Sequence, residues 1–367
     1  MTDDALLDRD ELGFEEWAVT PDPDHLVPDS LERERAREAF RSKLRSDPPA
    51  VCITHTDADG LSSAALVVDK YGLETVVQPV DYHGAYRFEH VLEDLIDCAD
   101  LPSTTIVVCD FALDEPVDDL DIVGSRAQTA EWFDHHQWDG ETAQAVVDAG
   151  FRLSVDEDEC TASLLARFRS IDADLQELAE VTKDIDLWIR DDPRSGRLNT
   201  FASIADPEDY VATVLECGVD LPDDVEQRID ERQALDEQLE DLAVERAVRF
   251  WVGDHDVAVT YCSGGRSSVI GNRLAEEHED DCDVAVVMKS HGGIGIYSHS
   301  DREGFARCHE VASELGGGGH PTAAGCEVPV DTFRDLAHYW ASEGSSSYDD
   351  IRRAIRAVVK GGGSGAE

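Results

Sequence analysis

The sequence predicts an α/β fold of two domains, an N-terminal domain on a mostly parallel sheet joined by a helical connection to a smaller α/β C-terminal domain. Three observations carry this. Over the first two hundred residues short apolar runs alternate with helical stretches, the pattern of βαβ units. From about 206 to 249 a highly charged helical segment interrupts the alternation. A second, shorter series of apolar runs follows it.

In chain order, residues 1–30 read as an acidic, proline-bearing arm, and Leu31 to Arg45 as a charged helix opened by Ser30 as N-cap. The first domain is expected over 31–205. Its strand candidates are Ala50–Thr54, Thr75–Val77, Thr105–Cys109 and Ala130–Phe133, with helices at Leu61–Tyr71 and Phe88–Cys98. The connector spans 206–249, and the second domain 250–360. There Val257–Tyr261, Val284–Met288 and Gly295–Tyr297 read as strands, Ser268–His278 and Phe305–Leu315 as helices, and 361–367 as a flexible tail. No internal repeat is present.

Composition bounds the function. With 367 residues and 41% hydrophobic content the chain can build two cores, which excludes a disordered protein. Against 31 basic residues stand 81 acidic ones, a formal charge of -50 that opposes compactness by self-repulsion. At roughly 1 M salt the screening length falls to about 3 Å, so the charge implies the salt-rich cytosol of a halophile. Lys43, Lys70, Lys183, Lys289 and Lys360 are the only lysines. The nine cysteines form no C-x-x-C pair, which suits a reducing compartment and argues against a zinc clasp. No basic region precedes an apolar stretch at the start, and no run of about 20 apolar residues occurs. A cytoplasmic protein, neither exported nor membrane-spanning, is expected.

Four segments carry chemistry. In His55-Thr56-Asp57-Ala58-Asp59-Gly60 an apolar strand ends in alternating ligand-type side chains that face one way on an extended backbone, and Gly60 permits the turn into a helix. An acidic turn capping that helix is the alternative. Asp110 ends the next apolar strand. Trp132-Phe133-Asp134-His135-His136 again places ligand-type residues at a strand end. Thr182-Lys183-Asp184-Ile185-Asp186 ends a helix with two acids, either of which could point inward. Carboxylates and imidazoles without a thiolate suit manganese or magnesium better than structural zinc. In open parallel sheets ligands bind beyond the carboxyl ends of the strands, where these motifs begin.

These motifs resemble those of the DHH phosphoesterases, which include RecJ exonucleases, nanoRNases, cyclic-dinucleotide phosphodiesterases and family II pyrophosphatases. His55 to Gly60 is similar to the family's first motif, Asp110 to its second, Asp134-His135-His136 to the one that names it, and Asp184 to its fourth. The resemblance implies two manganese ions, with magnesium as the alternative. Asp57 would bind one, Asp59, His135 and Asp184 the other, and Asp110 would bridge them. It further implies that His136 contacts the substrate phosphate or orients the ligand shell, while Asp134 holds the imidazole of His135. His55 would join the metal ligands, although some members carry the histidine of this motif four positions before the first Asp, where this chain has Ile53.

In the second half, Gly316-Gly317-Gly318-Gly319-His320-Pro321-Thr322-Ala323-Ala324-Gly325 resembles the GGGH-x-x-AAG signature of the DHH-associated C-terminal domain. Gly317, Gly318, Gly319 and His320 are thereby expected to bind substrate phosphate, with bare backbone N–H groups and a following small-residue helix favouring the anion. That signature separates the chain from family II pyrophosphatases. Relatives carry Ser-x-Arg-Ser upstream; here Ser298-His299-Ser300-Asp301-Arg302 displaces the arginine, so Arg302 or Arg266 is expected to supply the phosphate contact. The reading is an enzyme cutting terminal phosphodiester bonds of single-stranded nucleic acid or short oligonucleotides. A small-nucleotide phosphatase or cyclic-dinucleotide phosphodiesterase is the enzymatic rival, and a replication-associated binding protein the non-enzymatic one. A homodimer is admitted but not required.

Overall fold

The computed structural model describes residues 29–82, 84–98, 101–113, 115–168, 172–187, 189–275, 282–290, 292–299, 305–328 and 333–361. Residues 1–28 of the expected arm, 362–367 of the tail, and Arg302 lie outside them. The chain forms two compact units that divide between Arg232 and Gln233.

The first unit opens with α1 (Asp29–Leu44), so Ser30 lies inside the helix rather than capping it. Strands β1 (Ala50–Thr54), β2 (Val76–Pro79), β3 (Thr105–Cys109), β4 (Thr129–Asp134) and β5 (Arg152–Val155) make one sheet in the order β2-β1-β3-β4-β5. Every pairing is parallel. A sheet covered on both faces needs near-continuous apolar strands, which is why Ala50–Thr54 and Thr105–Cys109 are buried throughout. The helices are α2 (Ala58–Tyr71), α3 (Phe88–Cys98), α4 (Leu120–Arg126), α5 (Gly140–Asp148), α6 (Thr161–Phe168), α7 (Ala173–Asp186), α8 (Pro193–Ile204), α9 (Pro207–Cys217) and α10 (Asp223–Glu245).

Two cores flank this sheet. One packs Phe40, Phe88, Leu95, Val123 and Val146, from α1, α3, α4 and α5, against Trp132. The other packs Leu66, Leu165, Leu178, Phe201 and Tyr210, from α2 and α6 to α9. Val225 and Ile229, at the start of α10, belong to that second core as well. Much of the segment read as connector thus helps build the first unit.

The second unit has a mixed sheet of β6 (Val248–Val252), β7 (His255–Cys262), β8 (Val284–Lys289), β9 (Gly293–Tyr297), β10 (Gly318–Gly319) and β11 (Ala323–Glu327), in the order β10-β11-β9-β8-β7-β6. Only β7 and β8 pair parallel. α11 (Ser267–Ala275) covers one face through Ile270 and Ala275. α12 (Cys308–Glu314), α13 (Phe333–Ala341) and α14 (Tyr348–Gly361) cover the other through Val311, Tyr339 and Ile355. Among the described residues no helix is long and apolar enough to cross a membrane.

Candidate metal centre

The strand order of the first sheet contains a switch point. From β1 the chain leaves through α2 over one face, and from β3 through α4 over the other, so the strand ends of β1 and β3 open a crevice. His55 and Asp57 follow β1, Asp110 follows β3, and Asp134-His135-His136 closes β4. Their assembly follows from strand order alone.

Asp57 serves both readings of its motif. One carboxylate oxygen caps α2, accepting from the backbone N–H of Asp59 at 3.1 Å and of Gly60 at 3.0 Å. The other lies 3.0 Å from His55 Nδ1. Gly60 is required by space: a Cβ there would collide with the carbonyl of His55. Asp59 is buried and accepts from Thr161 N at 2.6 Å and Ala162 N at 2.8 Å, the first turn of α6. Burial, then the charges of Asp110 and Asp186, raise its pKa well above the carboxylate range.

Asp110 stands at the centre. Its backbone has φ 55°, a left-handed conformation that Asp tolerates better than most residues, and its N–H donates to Phe133 O at 2.9 Å. One carboxylate oxygen is 3.4 Å from His135 Nε2 and the other 3.7 Å from His55 Nδ1. Burial opposes its charge, but His135 and His55 outweigh burial and hold the carboxyl well below its usual range. In return, burial works against the imidazolium of His55 and of His135, yet the carboxylates beside them prevail. Asp110 and Asp57 raise His55 to about 10, and Asp110, Asp186 and Asp59 raise His135 to about 9.

Two expectations are corrected. Asp134 does not hold His135: it is fully buried and reaches His136 Nδ1 at 2.7 Å while accepting from Trp138 Nε1 at 2.7 Å. That contact, partly offset by burial, raises the pKa of His136. The helix-end acid that meets His135 is Asp186, 3.5 Å from its Nε2. Asp184 instead accepts from the backbone N–H groups of Asp191 at 2.8 Å and Asp192 at 3.2 Å, fastening the turn into α8. Burial pushes Asp186 up to about 6, with His135 opposing and Asp110 adding to the rise.

Among the described residues three groups of potential ligands result: His55, Asp57 and Asp110; Asp59, His135 and Asp186; Asp110, His135 and His136. Within each, the donor atoms lie within 4.8 Å of one another. Asp110 Oδ2 and Asp186 Oδ2 are buried without a hydrogen-bond partner, a costly state for a carboxylate oxygen that a cation relieves. The donors are imidazole nitrogen and carboxylate oxygen, and buried Cys109 stands outside the groups. The set fits divalent manganese or magnesium.

In the second unit the glycine-rich segment is not the start of a helix. Gly318–Gly319 and Ala323–Glu327 are the two strands of an antiparallel hairpin, and His320 N donates to Ala323 O at 2.7 Å. A Cβ at Gly317 would strike the carbonyl of Gly325. Gly318, Gly319 and His320 are exposed. Arg266 is spent within the unit, its Nε 2.8 Å from a carboxylate oxygen of the buried Glu240, which also accepts from its backbone N–H.

Neither a protein-family model nor a curated protein matches the sequence. Solved structures do align. The exonuclease RecJ bound to manganese is 14% identical over 86% of this chain and 94% of its own, at a TM-score of 0.47. A pGpG-specific phosphodiesterase from Vibrio cholerae is 14% identical, covering 81% of this chain and 99% of its own, at 0.45. A DHH domain described as a member of the s1p family of ribosomal proteins is 15% identical over 92% and 98%, at 0.45. Asp57-Ala58-Asp59, Asp110 and Asp134-His135-His136 stand in that order at the strand ends of one parallel sheet, and Asp186 joins them from the end of α7.

Proposed function

We propose that the chain is a metal-dependent phosphoesterase that hydrolyses phosphodiester bonds at the ends of short oligonucleotides or single-stranded nucleic acid. The observation that carries this reading is the position of Asp110, with one carboxylate oxygen toward His55 and Asp57 and the other toward His135. His55, Asp57 and Asp110 would hold one ion, and Asp59, Asp110, His135 and Asp186 a second. Two such ions, manganese or magnesium, supply Lewis-acid polarisation of the phosphoryl oxygens and activate water at neutral pH.

The protein's own groups do the rest. Asp134 fixes the ring of His136 through Nδ1 and favours its charged form. The opposite nitrogen, Nε2, is thereby set to donate a proton to a phosphate or leaving-group oxygen. Amides of α6 hold the carboxylate of Asp59, and the cap of α2 holds that of Asp57, so neither must be ordered when substrate arrives. The exposed hairpin at Gly317 to His320 is the proposed substrate-binding element of the second unit. A halophilic cytoplasm and a substrate repelled at long range by the net charge complete the reading.

The test is Asp110→Ala with a labelled oligonucleotide panel and manganese in molar potassium chloride. Turnover should fall roughly a thousandfold or more, the scale on which losing one preorganised electrostatic group is felt, while circular dichroism shows a folded protein. Parent-level turnover in folded Asp110→Ala would reject the two-ion assignment.

A further inference from the structure

Beside the ligand cluster the first unit contains a cavity of about 470 Å³, a size within the range of small-ligand sites. Its floor is apolar, made by Phe88, Leu92, Phe111 and Leu113, all buried. Its rim is acidic. Asp81, Glu89, Glu93, Glu115, Asp118 and Asp119 line it, and Arg87 is the one basic residue among the described lining residues. Glu93 is engaged by Arg37 at 3.0 Å.

The cavity and the cluster share a wall. Tyr82 stacks on Phe111 with ring centroids 4.4 Å apart and planes 12° from parallel, and its ring lies 5.7 Å from that of His55. Its hydroxyl accepts from Ala112 N at 3.0 Å, which fixes the ring. Phe111 directly follows Asp110 in the chain. A group seated on this floor is therefore a neighbour of whatever the cluster holds.

We propose that the cavity receives the terminal nucleobase of the substrate, carried by the nucleotide whose phosphate meets the cluster. The inference rests on the phosphoesterase reading. A planar aromatic heterocycle matches a floor of aromatic and aliphatic side chains, to which a phosphate contributes nothing. The carboxylate rim repels phosphate and accepts from N–H groups. Guanine, with adjacent N1–H and N2–H donors, matches the two oxygens of one carboxylate; uracil offers a single N–H. A strand running on past the rim would bring its next phosphate against six carboxylates, so the occupant is a chain end.

The experiment is saturation-transfer NMR on the full-length, metal-free protein in molar potassium chloride, with guanosine, uridine and ribose as probes. Saturation should concentrate on guanosine H8, with guanosine preferred to uridine by about tenfold in affinity, the worth of a hydrogen bond to a charged acceptor. Glu89→Gln/Glu115→Gln, at two exposed positions, should erase that preference, and Val117→Trp, from the half-buried wall, should remove binding of both nucleosides. Equal saturation of guanosine, uridine and ribose overturns the proposal, as does an unchanged guanosine preference in the double variant. Should Val117→Trp fail to fold, the double variant alone decides. Failure of the phosphoesterase reading would show separately, as absence of manganese-dependent turnover with nucleoside binding intact.

Discussion

Two acids two residues apart at the end of α7 are assigned opposite duties, and exchanging them is a sharp test. In metal-free protein, Asp184→Ala leaves the N–H groups of Asp191 and Asp192 without their acceptor. Losing such contacts costs about 1–2 kcal/mol, which in a unit of this size lowers Tm by about 2–8 °C. Asp186→Asn should act the other way. Its carboxyl is held at about 6 by burial, so folding is penalised as pH rises from the ordinary carboxylate value toward about 6 and beyond. Two pKa units set an upper bound of about 3 kcal/mol on this effect at neutral pH. Melts in chelator should therefore show Asp186→Asn more stable than the parent at pH 7, with the difference gone near pH 3, below both values. Titration calorimetry with manganese should then find one tight site lost in Asp186→Asn and both retained in folded Asp184→Ala. Retention of both sites in Asp186→Asn, with loss of one in Asp184→Ala, would refute the assignment and restore the expectation drawn from resemblance.

Manganese affinity of the metal-free protein should climb from pH 7 to 9, by up to about tenfold per unit for each proton displaced, because His55 and His135 must shed protons held up to about 10 and about 9; calorimetry showing a flat profile would contradict it. His320→Ala should raise KM for an oligonucleotide and leave metal content unchanged, whereas parallel metal loss would assign His320 to the wrong role. Activity on a short single-stranded oligonucleotide should rise from dilute buffer to molar potassium chloride, because salt screens the long-range repulsion of a -50 chain before it weakens contacts at close range. A folded enzyme, checked by circular dichroism, whose activity declines steadily with salt would reject that account.

The first sheet was readable because its buried strands are uninterrupted apolar runs, and Val107-Val108-Cys109 admits few alternatives. β5 escaped because Arg152-Leu153-Ser154-Val155 is an edge strand, half exposed and without that pattern. Composition misled at Ala323–Glu327: small residues suit a helix, but here they let β11 pair with Gly318 and Gly319 on one side and with β9 on the other. The metal-centre candidates from the strand ends were legible from motif and spacing. Those depending on a helix end were not, since Asp184 and Asp186 differ only in direction, and direction was set by the amides of Asp191 and Asp192. Likewise no pattern in Asp134-His135-His136 tells which imidazole the aspartate grips. The support of Asp59 by α6, a hundred residues downstream, had no local signal.

Position 110 sets two requirements that few side chains meet together. The left-handed backbone at φ 55° favours the short polar residues Asp and Asn, and the proposed chemistry needs oxygens on both sides. Glutamate keeps the charge and loses the backbone preference; asparagine keeps the backbone and exchanges one oxygen for a donor nitrogen. Asp110→Asn is thus the conservative route from catalyst to inert receptor, a single-atom change that would leave the crevice, its histidines and the neighbouring cavity in place. On the proposed reading, such a protein would be a substrate trap, and a molecule that it retains from a cell extract and that the parent cleaves would be a candidate substrate.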